Sequence, residues 1–432
     1  MTNNANDQFF VYTQTQKIVT LVSAILGFAL DGFNMLIFAF LLLPIAKSLN
    51  VNIPDMGFIF SLQLIFSMLG GVIFGHFADT KGRKLLLMYS IILYSIGAIF
   101  SAFSWNLASL AIFRSLTGLG LGGEWGVGMA LFNEVYTSKR RAFGGGLIQG
   151  SFLLGILLAG LSAHFALSSF PQAIGWRIGM ASGAISLIPV VFIRLFMPES
   201  RLWLKSIEMR TKDAVISKIK EPIWTIFKRK YIKYTLIGLL MVFAYMYSFY
   251  AVSSIMPTIL GKMYKISPPI SIKITYLVTI IGALTYFFTG YLGDVAGRKY
   301  AFLLTQMISI IGFVVLSLFV IKLYAPFKGS LLAWPIFWGY LLFYMGSGSF
   351  AVFGVWFSEL YPTEMRSTGI SFCYMVGRGT SALAPLISAI SFTAGLISGL
   401  IAAILLFILP LFLQETKEAV LTPGETILPK RG

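Results

Sequence analysis

Residues 75–84 read Gly75-His76-Phe77-Ala78-Asp79-Thr80-Lys81-Gly82-Arg83-Lys84, and the stretch decides the architecture because the chain carries it twice. Residues 290–299 read Gly-Tyr-Leu-Gly-Asp-Val-Ala-Gly-Arg-Lys, with Gly290, Asp294, Gly297, Arg298 and Lys299 all displaced by 215 positions. A second pair follows: Glu134-Val-Tyr136 with Arg141 and Gly144, against Glu359-Leu-Tyr361 with Arg366 and Gly369, displaced by 225. Two independent matches at nearly one displacement mean a tandem arrangement, two halves in parallel.

Composition says what the halves are made of. The 432 residues are 57% hydrophobic and 11% charged, with a mean hydropathy of +0.84. A soluble domain is closer to a quarter charged, so the expectation is an all-α membrane protein. Read at about 20 residues or more per span, the chain gives twelve: 18–43, 54–77, 85–104, 107–135, 143–166, 176–197, 234–260, 270–292, 300–322, 331–357, 368–390 and 392–413. This predicts a cytoplasmic tail (1–17), a six-helix bundle (18–197), a cytoplasmic linker (198–233), a second six-helix bundle (234–413) and a cytoplasmic tail (414–432).

The net charge of +17 raises the question of a nucleic-acid partner, and the placement of the charges answers it. With the N-terminus inside, 23 of the 33 Lys and Arg fall in cytoplasmic segments, 7 outside and 3 (Arg114, Arg194, Arg378) within spans. That is the positive-inside bias. It accounts for the basic balance without nucleic acid and places a multi-pass protein in the cell membrane with both termini cytoplasmic. The first span is too long for a signal sequence and is read as retained. Residues 1–16 are polar and expected to be disordered, and the basic linker is expected to be a solvated connector. Cys373 is the single cysteine, and His76 and His164 lie far apart, so neither a disulfide nor a metal centre is expected. No cofactor motif, phosphate loop or nucleophile–base pair is found, which argues against an enzyme.

Besides the sixth, with Arg194 near its end, three spans carry charge. The fourth contains Arg114-Ser-Leu-Thr-Gly118-Leu-Gly120-Leu-Gly122-Gly123-Glu124-Trp125-Gly126 and runs on to Glu134. A charge at such depth costs roughly 2.5–3.5 kcal/mol on insertion scales, so it is kept where it faces a partner or a polar path. Ten residues separate Arg114 from Glu124, about 15 Å along a helix axis, so each needs a partner from elsewhere. Gly118, Gly122 and Gly126 form a stripe on which another helix can pack. The first span carries Asp31 near its midpoint, followed by Asn34, and the eleventh carries Arg378. Asp31 and Glu124 are candidate proton carriers, with a structural carboxylate as the alternative for Asp31. Arg378 and Arg114 are candidate substrate anchors, since a guanidinium can hold a carboxylate bidentately; for Arg378 the alternative is a counter-ion to Glu124 or Asp31. Asn34 and Gln149 are candidate hydrogen-bond donors to substrate. Most of the aromatics of the seventh and tenth spans (Tyr245, Tyr247, Phe249, Tyr250, Phe350, Phe353, Trp356) are expected to pack or face lipid.

At the cytoplasmic ends, Asp79 and Arg83 are four apart, and Gly82 permits a tight turn between helix ends. Together with Glu134 and Arg141 and with the matching Asp294, Gly297, Arg298, Glu359 and Arg366, they can form ion pairs across the halves. Exposed pairs of this kind are worth about 0–1 kcal/mol, which suits a latch. Glu199 and Glu415 stand at equivalent places after the sixth and twelfth spans and are expected to join it. His76 is read as a loop residue.

In these motifs the chain resembles the major facilitator superfamily over essentially all twelve spans. Pro198-Glu199-Ser200-Arg201-Leu202-Trp203-Leu204 and Glu415-Thr416-Lys417 are similar to cytoplasmic signatures of sugar porters. The Leu-Thr-Gly-Leu-Gly-Leu-Gly-Gly-Glu-Trp-Gly run, Asp31-Gly32-Phe33-Asn34 and Gly377-Arg378-Gly379 look more like metabolite:proton and aromatic-acid:proton symporters. Their typical first-span motif has a second acid where Asn34 stands, which leaves Asp31 alone there. The Gly-Pro pair of the fifth span of drug antiporters is absent between Gly150 and Gly160. The resemblance implies a central cavity lined by the first, fourth, seventh and tenth helices. It further implies proton-coupled uptake of a small carboxylate by alternating access, in a monomer whose partners are substrate, proton and bilayer. A sugar porter is the alternative, and a non-transporting sensor on the same fold is a more distant one.

Overall fold

A computed structural model of the chain describes residues 12–136, 138–209, 222–253, 256, 259–260, 264–266, 268–321, 335–422 and 426–427. The tail before residue 12, the middle of the linker, the last residues and the Arg194 side chain lie outside the described residues.

Apolar sequence of spanning length becomes helix because hydrocarbon offers the backbone no partner but itself. The first span, Gln14–Leu49, starts at a capping box in which Thr13 and Gln16 exchange side-chain and backbone bonds. It is followed by Ile53–Lys81, Arg83–Ala102, Leu107–Val135 and Ser138–Ser169. The sixth span runs as Gln172–Ala181, a 3₁₀ turn at Ser182–Ser186, and Leu187–Phe196. Short linker helices, Arg201–Met209 and Pro222–Thr225, precede the second half. There the seventh to ninth spans are Ile232–Ser253, Pro268–Val295 and Arg298–Ile321. The tenth passes through a 3₁₀ turn at Ser347–Val352 between Pro335–Gly346 and Phe353–Leu360. The eleventh breaks between Arg366–Thr380 and Leu383–Ile390, and the twelfth is Phe392–Ile408. Ten of these helices are long and apolar enough to cross a bilayer. The fourth and eleventh complete the twelve and are the glycine-rich, charge-bearing ones.

The repeated motif is tighter than a loop. Helix runs through Lys81 and resumes at Arg83, so Gly82 alone makes the break, and His76 lies inside a helix, not in a loop. Gly82 and Gly297 share φ +111°, a region that side chains rarely adopt.

The glycine stripe is used as spacing predicts. A Cβ at Gly118 would lie 2.2 Å from the Gln63 carbonyl, at Gly122 2.0 Å from that of Ser67, and at Gly126 against Ser371. The fourth span therefore presses backbone to backbone on the second and touches the eleventh. Between halves, the second span packs on the eleventh and the fifth on the eighth, a pseudo-twofold interface. Beyond the twelfth span, Val420–Leu421 pairs antiparallel with Thr426–Ile427.

Candidate functional site: a central cavity above a cytoplasmic gate

The candidate gate, a network of ion pairs, is built twice. Arg83 Nη2 lies 3.0 Å from Asp79 and 3.1 Å from Glu134, while Arg366 Nη1 reaches the same Glu134 oxygen at 2.5 Å. In the other half Arg298 lies 3.2 Å from Asp294 and 3.1 Å from Glu359, and Arg141 reaches Glu359 at 2.7 Å. Each glutamate thus takes one arginine from its own half and one from the other. The aspartates also reach across. Asp79 accepts from the Ser367 and Thr368 backbone N–H groups (3.2 and 2.8 Å), at the start of the eleventh span. Asp294 accepts from those of Ala142 and Phe143 (2.9 and 2.8 Å), near the start of the fifth. A carboxylate at a helix N-terminus is stabilised by the free N–H groups and the helix dipole.

Two expectations change here. The pairs are not exposed: the side chains of Asp79, Arg83, Glu134, Arg298, Glu359 and Arg366 are all at 0% exposure. Desolvation therefore offsets much of their attraction, and the small value of a surface pair does not apply. Glu199 and Glu415 do not bridge the halves. Glu199 accepts from Arg83 N and Lys84 N at 3.1 Å, and Glu415 from Arg298 N and Lys299 N at 3.0 Å. Each caps a helix of its own half. Burial raises the Glu199 pKa, while backbone N–H groups and the Arg83 charge pull it back. Behind Glu415, Thr416 donates to Glu359 at 2.5 Å and Arg141 donates to the Ala419 carbonyl at 3.4 Å, so the chain end backs the gate.

Above the gate lies a cavity of about 70 Å³. Its walls are Phe28, Gln149, Phe152, Tyr245, Phe249, Tyr250, Tyr286, Phe350, Tyr374 and Arg378, with aliphatic residues between. A cavity of about 150 Å³ is what holds a benzene ring, so this space must widen before it can admit an organic acid of that size. Tyr245, Phe249, Tyr250 and Phe350 of the expected packing aromatics thus face the cavity. Tyr247 instead donates to Ser398, and Trp356 to the Gln414 carbonyl. The wall comes from the first, fifth, seventh, eighth, tenth and eleventh spans. The fourth, expected to line it, contributes none of these residues.

Arg378 sits between rings, 5.8 Å from the Phe152 centroid and 5.9 Å from that of Tyr374. It donates to Met35 Sδ and bonds Tyr250, and its Nε is buried without a partner. Asp31 is fully buried, and neither of its oxygens has a hydrogen-bond partner. Arg378 is the cation that acts on it, yet among the described residues no ion pair to Asp31 closes within 4.0 Å. Glu124 is 1% exposed, with Oε2 also unpartnered. Its carboxyl lies where a Cβ on Gly27 would be, 2.3 Å away, one helical turn before Asp31. The two acids therefore share one face of the first span.

Asn34 and Arg114 lie outside the lining of this cavity and bond protein groups. Asn34 donates to Ser186 Oγ at 2.7 Å and to the Leu30 carbonyl at 3.0 Å. Arg114 donates to Ser101 and Thr117 (3.1 and 2.9 Å) and lies over the Phe38 ring. Neither is in the cavity wall: Asn34 bonds within its own helix and to the sixth span, and Arg114 within its own helix and to the third. Gln149 is in the wall, and its Oε1 accepts from Trp125 Nε1 at 2.5 Å. Trp125 stacks on Tyr374 with centroids 3.8 Å apart. Sequence reasoning passed over Trp125, Tyr374, Tyr286 and Phe152. The available signals were adjacency to Glu124 for Trp125 and the four-residue spacing from Arg378 for Tyr374.

Twelve helices in two related halves, closed at one end by matched ion pairs around a central cavity, define a membrane carrier. The chain belongs to the Major Facilitator Superfamily, which it matches over residues 24–385. It is 30% identical over 357 residues to a protein named "Probable 4-methylmuconolactone transporter" from Cupriavidus pinatubonensis, covering 82% of this chain and 79% of that one. It is 24% identical over 389 residues to the "Cis,cis-muconate transport protein" of Acinetobacter baylyi, covering 88% of each. The fold is similar to that of the proton:xylose symporter XylE bound to 6-bromo-6-deoxy-D-glucose, with a TM-score of 0.77, 18% identity, and coverage of 96% and 99% of the two chains. The protein is a transporter and not an enzyme.

Proposed function

We propose that the protein is a proton-coupled symporter that takes up a small organic acid by alternating access. The observation that carries this reading is a buried guanidinium in the cavity wall, Arg378, whose charge acts on the buried carboxyl of Asp31 behind that wall, with the Glu124 carboxyl packed one helical turn away on the first span; among the described residues both Asp31 oxygens and Glu124 Oε2 lack a hydrogen-bond donor. An ionised carboxylate without a donor is costly in a buried site, so these acids suit proton uptake and release. When a substrate carboxylate engages Arg378, it takes up the positive charge that acts on Asp31, and Asp31 or Glu124 then retains a proton. Cargo and proton become linked because one cation serves two anions. The loaded centre is closer to neutral, and the halves rock around it. The names of the muconolactone and muconate relatives support the acid.

On this reading Asp79, Gly82, Arg83, Glu134, Arg141, Asp294, Gly297, Arg298, Glu359 and Arg366 form the cytoplasmic gate, with Glu199 and Glu415 as its caps. The bundles span 18–197 and 234–413, both termini face the cytoplasm of a cell-membrane monomer, and Gln149 contacts substrate.

Proteoliposomes under an imposed pH gradient test the coupling. Asp31→Asn abolishes uphill accumulation while exchange of preloaded acid continues in part. Uphill uptake equal to wild type would remove Asp31 from the role. Competition by carboxylates but not by hexoses separates this reading from a sugar porter.

A further inference from the structure

Gln149 meets the cavity through one atom only, and a residue outside the cavity decides which. Trp125 Nε1 is a donor and nothing else, so the amide oxygen must face it; turning the amide over would set two donors head to head. The Gln149 Oε1 is thereby occupied, at 2.5 Å. The amide nitrogen has no protein partner among the described residues, yet it is not among the buried atoms left without one. It therefore opens on the cavity that Gln149 lines.

Trp125 is itself closely packed. It is 1% exposed, stacks on Tyr374 at 3.8 Å and 19°, and has Phe353 6.4 Å away on its other contact. Gly354 leaves it room, since a Cβ there would sit 3.1 Å from the indole. Tyr374, one turn from Arg378 on the eleventh span, shares the cavity wall with that arginine. The indole consequently fixes the direction of one amide while bracing the ring beside the anchor cation.

We propose that Trp125 is a positioning residue that locks the Gln149 amide with its NH₂ toward the cavity, so that the site selects an acid bearing a second hydrogen-bond acceptor away from its carboxylate. This rests on the reading that Arg378 holds the carboxylate. Acceptors of the right kind are a second carboxylate, a lactone or ketone oxygen, or a ring nitrogen. A site built to donate discriminates against an analogue that lacks the acceptor, because its own donor is then left unpaired in the dehydrated complex. A flat acid also matches the stacked rings of the wall, but the acceptor preference is what Trp125 adds.

Two shape-matched pairs of probes test it: nicotinate against benzoate, and trans,trans-muconate against sorbate. Inhibition constants are measured on reconstituted wild type, Trp125→Phe, Gln149→Leu and the double variant. The expected result is a wild-type preference for the acceptor-bearing member of at least one pair. Trp125→Phe, which keeps a ring and removes the N–H, reduces that preference roughly 5- to 10-fold, the worth of one hydrogen bond. Gln149→Leu reduces it at least as far, and the double variant goes no further than Gln149→Leu. The change falls on apparent affinity rather than on maximal rate. A wild type without preference, a preference unmoved by Trp125→Phe, or equal weakening of both members would overturn the proposal, the last leaving Trp125 a packing residue. Arg378→Ala is the separate control. If it weakens both members alike while no acceptor preference exists, the carboxylate reading stands and this one falls. If it weakens neither, both fall.

Discussion

A guanidinium flanked by two rings and short of one hydrogen-bond acceptor is poised for an anion. Arg378 keeps an unpartnered Nε and faces the cavity across Phe152 and Tyr374. A charge-assisted hydrogen bond contributes about 1.5–3 kcal/mol, so Arg378→Ala should raise the apparent KM for an acid by about one to two orders of magnitude. Arg378→Lys, a point charge without the fork, should recover part of that. A neutral sugar should be almost indifferent to either change. Initial uptake rates over a substrate series measure this, and an acid KM unchanged in Arg378→Ala would remove the arginine from the anchor role. How far these residues could be read from sequence differs among them. Asp31, Glu124 and Arg378 announced themselves by the cost of charge in hydrocarbon. Arg114 announced itself in the same way, yet it lies outside the cavity wall. The cost says only that a buried charge has a reason, and Arg114 is satisfied by the hydroxyls of Ser101 and Thr117 rather than by a path. Trp125 and Tyr374 carried no charge, so only their spacing from Glu124 and Arg378 pointed to them until the fold set them face to face.

Among the elements, the two motif turns are the sharpest case of sequence dictating shape. Gly82 and Gly297 have one φ, +111°, and each faces the carboxylate that caps the following helix. A Cβ at Gly82 would stand 2.7 Å from Glu199 Oε2, and one at Gly297 2.6 Å from Glu415 Oε2. Gly82→Ala therefore combines backbone strain, roughly 1–3 kcal/mol, with displacement of a cap worth about 0.5–2 kcal/mol. The expected outcome is a lower thermal midpoint in detergent for Gly82→Ala and Gly297→Ala alike. If either variant melts with wild type, the turn–cap unit at that position is not a stabilising one. The glycine and the arginine of this unit were legible from the repeat. The caps were not, because Glu199 and Glu415 lie more than a hundred residues from the N–H groups they bind. The cross-half work of Asp79 and Asp294 was hidden for the same reason. Ion pairs follow from charge alone, but a carboxylate bound to another half's helix start needs the halves to be docked.

For the molecule as a whole, the gate reports how the conformational balance is set. Its pairs are buried in this closed arrangement and would meet water once the halves part. Desolvation on closing opposes Coulomb attraction, which keeps the free-energy difference between the closed and open states smaller than the ion pairs alone would make it. Removing one partner upsets that balance in a defined direction. Glu134→Gln leaves Arg83 and Arg366 facing each other in a buried site, where Asp79, the Thr363 hydroxyl and backbone carbonyls still accept from them and the Glu364 charge acts on both, one carboxylate fewer than before. An uncompensated buried charge costs about 3–5 kcal/mol, and opening to water relieves it. The cytoplasm-open population should then rise by about two orders of magnitude or more, at 1.36 kcal/mol per tenfold. Arg366→Gln added to Glu134→Gln withdraws the surplus positive charge and should restore closure in large part. Spin labels at the exposed positions Lys81 and Val295, on opposite halves, read the separation of the cytoplasmic ends directly. A distance distribution in Glu134→Gln that matches wild type would mean that helix packing, not the matched charges, holds this end shut.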